Sequence, residues 1–284
     1  AVFANHQGTV FFAAHVVAAA LVCLYLGWAL DLRRPAWAGV ALGLAVATRP
    51  TTALLGLFFV WELWRVARQG PLTGTWRWRL SHLDWRRVGR ASLRFALPLG
   101  VVALLLLWHN LARFGDVLAF GHRYLQVNWR WRIEKWGLFN YHYLGRNLAV
   151  MLTSLPWLTS VAPHLRISGH GLALWITTPP LLLLLWPRRS SPLAPGLWAA
   201  AGAVAVLNLC YQNSGWLQFG YRFSLDYMPL LIVLLAVGGR SLRGAMAVLL
   251  AVAVVVNAFG ALTFDRSHRF YHFEGTQQVL FQPD

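Results

Sequence analysis

The chain has 284 residues, 58% of them hydrophobic and only 12% charged, with 16 tryptophans and a formal charge of +16. That much apolar side chain exceeds what a water-soluble core can hide, which excludes an ordinary soluble domain. The positive excess does not make the chain a nucleic-acid binder, because the arginines flank apolar runs of bilayer length, where membrane orientation and anionic lipid explain most of them.

Apolar runs at 9–30, 95–112, 171–187, 193–211 and 244–263 are long enough to cross a ~30 Å hydrocarbon layer as helices. Those at 37–48 and 227–239 are shorter, and 51–67 completes a set of eight. The predicted fold is therefore all-α: a polytopic transmembrane helical bundle of about eight spans, one domain over 1–284, integral to the membrane.

Arginines set the sidedness. Arg33 and Arg34 precede the segment 37–67, and Arg65, Arg68, Arg77, Arg79, Arg86, Arg87, Arg90 and Arg94 follow it. The positive-inside rule puts both groups in the cytoplasm, so an even number of crossings separates them and 37–48 and 51–67 form a hairpin broken at Thr48-Arg49-Pro50-Thr51. Arg188, Arg189, Arg240 and Arg243 fall inside by the same logic. The loop 68–94 is a basic cytoplasmic segment anchored by Trp76, Trp78 and Trp85, whereas 1–8, 48–52, 109–170, 212–226 and 264–284 face outward. Of the 25 basic residues, 14 lie in the inside loops and 11 lie outside, which sidedness does not account for.

The outward region 109–170 carries Trp108-His109-Asn110, Arg113, His122-Arg123-Tyr124, Trp129 to Arg132 and Tyr141-His142-Tyr143. Within it Leu144, Leu148, Leu152 and Leu155 recur at helical spacing, predicting an interfacial amphipathic helix that ends near Pro156. Guanidinium forks match two phosphate oxygens at once and aromatic rings stack on sugars or lipid, so this mixture suits a lipid-linked phosphate or, equally, an aromatic belt with snorkelling arginines.

Arg49 is a full charge near membrane depth beside a helix-breaking Pro50, either a substrate contact or a pin for its own hairpin. Asp226 stands four residues after Arg222, a spacing that suits a local pair. Glu62 is one turn from Arg65, and Gly39 and Gly43 have the small-xxx-small spacing of close helix contact. His15, Asn208 and Asn257, polar groups inside apolar runs, read as interhelical hydrogen bonds. The histidines His109, His122 and His142 lack metal-ligand spacing, so no metal site is assigned among them. Cys23 and Cys210 define no disulfide framework.

The runs Ala38 to Thr52, Asn110 to Tyr124 and Phe219 to Leu231 together resemble the bacterial GT-C glycosyltransferases, the superfamily of the protein mannosyltransferase-like and aminoarabinose transferase-like enzymes. The resemblance implies transfer of a sugar from a polyprenyl-phosphate donor to a lipid, glycan or protein acceptor at the outer face of the plasma membrane. It implies donor-phosphate or substrate contacts for Arg49, Arg113, Arg123, Arg222, His122, Tyr124 and Tyr221. In that family the catalytic carboxylate lies in the first outward loop. The chain enters an apolar run almost directly after Ala1, so that carboxylate, and any divalent metal it helps to hold, is expected upstream of Ala1. A transporter or flippase for a lipid-linked anion would use the same arginines without chemistry, and would call for a second broken helix besides the one at Pro50. Thr178-Pro179-Pro180 is the candidate for that second break.

Overall fold

The structure, a computed structural model, describes residues 10–68, 83–119 and 130–272. It is mostly helical. Its principal helices are α1 (Val10–Ala29), α2 (Pro35–Thr48), α3 (Gly56–Ala67), α4 (Trp85–Phe114), α5 (Arg130–Trp136), α6 (Leu144–Thr153), α7 (Leu174–Thr177), α8 (Ala194–Leu209), α9 (Met228–Val237) and α10 (Ala245–Thr263). Short 3-10 segments, Pro50–Leu55 and Pro179–Leu185 among them, join several of these.

Among the described residues three stretches are long and apolar enough to cross a membrane: Phe12–Leu32, Trp85–Phe114 and Ala245–Thr263. Three more helices, α2, α8 and α9, are apolar but shorter. Eight full spans are thus not what the structure displays. The clearest departure is at 171–187, expected as one helix. There the chain makes a single α turn and then a 3-10 segment, because Pro179 and Pro180 lack the N–H groups that an α-helix needs to continue. The fold is also not purely helical, since a small sheet of order β1-β2-β3 is built from Trp157–Leu158, Leu165–Ser168 and Tyr271–His272. Its β1–β2 pair is antiparallel, with Trp157 opposite Arg166. Its β2–β3 pair is parallel, with Ile167 opposite Tyr271.

The arginine-rich connections gather at one end of the bundle. The chain reverses between α1 and α2 at Asp31, and the far end of α3 returns to that reversal, where Arg65 bonds both Glu62 and Asp31 and the Asp31 amide donates to Glu62 at 2.8 Å. The segment 37–67 is therefore a hairpin, as its flanking charges require. Trp61 donates to Pro192 O at 2.9 Å, bringing the start of α8 to this end, and the Arg188 and Arg189 amides bond Gly238 O at the end of α9. Asp84 caps α4 here by accepting from Arg87 N at 3.0 Å, and at its other end α4 terminates on Gly115, which takes the left-handed conformation (φ 70°) that glycine adopts without strain.

The core of the bundle is apolar, with Val22, Tyr25, Leu42, Phe58, Phe59, Leu197, Val204, Leu230 and Leu234 buried together. Close packing of α2 on α4 depends on its glycines. A Cβ at Gly39 would stand 2.1 Å from the Phe95 carbonyl oxygen, and one at Gly43 would stand 2.9 Å from Val102. The small-xxx-small spacing is a contact surface, as expected. The amphipathic helix expected after Leu144 is α6, which buries Asn147 and Val150 while Leu144, Leu148, Leu152 and Leu155 remain exposed.

Candidate functional site

At the end of the bundle opposite the arginine-rich connections, a buried polar cluster forms where two chain breaks meet. Pro50 ends α2 and starts a 3-10 segment, leaving Arg49 in extended backbone (φ −142°) at the junction. A second 3-10 segment, Arg222–Asp226, precedes α9. Between them stand His15 of α1 and Asn208 at the last turn of α8.

Asp226 is the centre of this cluster and is fully buried. Its carboxylate accepts from Arg49 Nε at 3.1 Å and Nη2 at 3.0 Å, Thr51 Oγ1 at 2.9 Å and Asn208 Nδ2 at 3.1 Å, and it lies 3.1 Å from His15 Nδ1. Burial alone would raise its pKa. The His15 hydrogen bond and the Arg49 charge outweigh that and hold the carboxyl well below the usual carboxylate range. The local pair expected between Arg222 and Asp226 does not form. The reason is geometric: 3-10 helix advances three residues per turn, which leaves positions four apart on different faces, and a better fork-to-carboxylate match comes from Arg49 of the 37–67 hairpin. Of the two readings of Arg49, this geometry carries the hairpin pin, with a carboxylate rather than a carbonyl as its anchor.

Arg222 is placed differently. Its guanidinium rests against the rings of Phe12 and Phe223, 5.5 and 5.4 Å from their centroids, and donates one long 3.5 Å bond to Trp216 O. Arg49 lies against the same Phe223 ring at 5.4 Å. Arg222 has no carboxylate partner among the described residues, and its buried Nε has no hydrogen-bond partner there. Burial first, then the neighbouring Arg49 charge, pull its pKa down to about 10. The adjacent Tyr221 hydroxyl is also buried and lacks a partner among the described residues.

Tyr221 and Arg222 line one cavity of about 80 Å³ with Phe12, Gln218, Thr177 and Asn257, enough for several waters or a phosphate group. Asn257 helps shape it by donating to Thr177 O at 2.7 Å, bracing the backbone just ahead of the Pro179-Pro180 break. Next to it runs a larger apolar groove of about 650 Å³ between α1 and α9, walled by residues from Val16 to Leu30 on one side and Leu225 to Val237 on the other. Cavity and groove share Leu225 and Met228.

Arg113 does not join this site; it is exposed in the last turn of α4 with its guanidinium 5.2 Å from the Phe114 centroid. His122, Arg123 and Tyr124 lie outside the described residues. Sequence reasoning missed Gln218, Thr51 and the two phenylalanines under Arg222, whose role appears only when remote segments meet. The expected hydrogen-bonding roles of His15, Asn208 and Asn257 are observed. Among the described residues no group of three or more histidines, cysteines or acids could hold a metal.

The chain matches no family model, no curated protein and no solved structure.

Proposed function

We propose that the chain is the carrier-binding part of a polytopic membrane glycosyltransferase, with more crossings than the three long helices alone. In this reading it moves a sugar from a polyprenyl-phosphate donor to a lipid, glycan or protein acceptor at the outer face. The observation that carries the reading is Arg222: a mostly buried cation with no carboxylate partner among the described residues, beside a tyrosine hydroxyl that likewise has no partner among them and next to a groove suited to a hydrocarbon chain. A buried unpaired charge is costly, so a site of this kind is stabilised by an anion. A phosphate there would take the Arg222 fork while its isoprenoid tail followed α1 over roughly 20 Å, the rise of the groove residues Val16 to Leu30 at 1.5 Å each.

Arg222 and the field of Arg49 would then stabilise the departing carrier phosphate as its bond to the sugar breaks. Asp226 has both oxygens committed to neighbouring donors and is not the base that activates the acceptor. The test is transfer by the native protein in membranes, using a polyprenyl-phosphate sugar donor. Arg222→Ala should abolish transfer while membrane insertion is unchanged, and Arg222→Lys should remain impaired because a point charge loses the fork. Wild-type turnover in Arg222→Ala removes the reading.

One observation favours a second reading, a flippase for a lipid-linked anion. Two proline-initiated 3-10 breaks, at Pro50 and at Pro179, flank the cluster, and paired broken helices are a mark of transporters. Movement of a labelled carrier lipid across vesicles, with no sugar transfer, would identify that activity.

A further inference from the structure

The arginine-rich end holds a second cavity, of about 470 Å³, independent of the Arg222 site. It is lined by Leu32, Arg33, Pro35, Asp84, Ala91 and four arginines of α4, namely Arg86, Arg87, Arg90 and Arg94. Five guanidinium groups thus surround a space with one carboxylate. That carboxylate is already engaged as the α4 cap, and Arg33 has Asp31 at 3.6 Å. Arg86, Arg90 and Arg94 have no ion-pair partner among the described residues, and the stretch 69–82 contains no Asp or Glu that could provide one.

We propose that this cavity binds the phosphodiester headgroup of an anionic bilayer lipid. Helix α4 supports a lipid source over a free phosphate. Its 30 residues span about 45 Å against a ~30 Å hydrocarbon layer, so its first turns project into the headgroup region. Beginning between Arg90 and Arg94 and running down the same helix, Leu93, Leu97, Val101 and Leu104 form an exposed apolar stripe along which acyl chains can lie. Trp37 and Trp85, both exposed, mark the interface level beside the cavity. Basic pockets between membrane helices are suited to such headgroups, and guanidinium forks to their paired oxygens.

The experiment is native mass spectrometry of the purified protein with equal amounts of phosphatidylglycerol and phosphatidylethanolamine. Phosphatidylglycerol should be retained at least about tenfold over phosphatidylethanolamine, and the double variant Arg90→Gln/Arg94→Gln should erase that preference. A charge-matched control at the same end, Arg188→Gln/Arg243→Gln, should keep it. Because Arg90 and Arg94 are exposed, both doubles should unfold at the wild-type temperature, so a lost preference reports binding and not misfolding. Equal retention of the two lipids, equal loss in both doubles, or displacement of phosphatidylglycerol by millimolar inorganic phosphate overturns the proposal, the last by showing a free-anion site.

Discussion

Mutual removal of Arg49 and Asp226 separates a hairpin pin from a substrate contact. Asp226 is completely buried and Arg49 has only 21% of its side chain exposed, so neither charge is well solvated when its partner is lost. Breaking such a pair from one side costs about 3–5 kcal/mol, because the remaining charge stays buried without compensation. Asp226→Ala also strips Thr51, Asn208 and His15 of an acceptor, which places it at the upper end of that range. Arg49→Ala should fall at the lower end. The double variant removes both charges together, so its cost should be smaller than the sum by at least about 2 kcal/mol. Reversible unfolding in mixed micelles, extrapolated to zero denaturant, measures all three. A loss under about 0.5 kcal/mol for Arg49→Ala, or strict additivity in the double, would show that Arg49 does not pin the hairpin and would return it to the list of ligand contacts.

Gly39→Ala should destabilise by about 1–3 kcal/mol through collision with the Phe95 carbonyl, whereas Gly27→Ala, with open space around it, should stay within about 0.5 kcal/mol in the same assay. Glu62→Ala should cost about 3 kcal/mol or more, since it removes the buried acceptor of both Arg65 and the Asp31 amide. His170 is buried, with Ser214 Oγ 3.0 Å from its Nδ1, and burial lowers its pKa from 6.5 to about 4. Because the folded value lies below the unfolded one, its stabilising effect is complete above pH 6.5 and is lost as pH falls towards 4, by up to about 3 kcal/mol. Unfolding measured across that window should flatten in His170→Gln, and an unchanged slope would assign the pH dependence to other groups.

What the sequence made legible was periodic or one-sided. The hairpin at Pro50 follows from arginines on both flanks, and the structure closes it through Arg65, Glu62 and Asp31. The leucine stripe of α6 and the glycine contact of α2 follow from helical spacing, which needs no knowledge of the partner. The Asp226 cluster was illegible because its decisive bond joins residues 177 apart, and local spacing favoured Arg222 instead. The region 171–187 was misjudged as a span because hydropathy reports transfer to lipid and is blind to the backbone donors that consecutive prolines remove. The small sheet escaped for a related reason. Its strands have two to four residues, and β3 comes from a remote part of the chain, so no alternating pattern announces them.

The distribution of charge bears on which step of the proposed transfer these residues serve. The chain has 9 acids against 25 bases, and among the described residues Asp226 is the one acid in the cluster beside Arg222. Arg49, Thr51, Asn208 and His15 already surround it, so a substrate hydroxyl could reach it only by displacing one of them. A group held in this way stays ionised and donates no proton, nor does it have a free lone pair aimed at an acceptor. Among the described residues the cluster therefore keeps a net positive charge from Arg222 and has no free carboxylate, a composition that favours the departure of an anionic carrier over the activation of a nucleophile by a carboxylate. The consequence can be measured. In an Asp226→Asn variant assayed under conditions where it remains folded, residual transfer should keep the acidic limb of the wild-type pH profile, because the base whose deprotonation produces that limb lies elsewhere. Loss or displacement of that limb would make Asp226 the base and reverse the assignment of roles between it and Arg222.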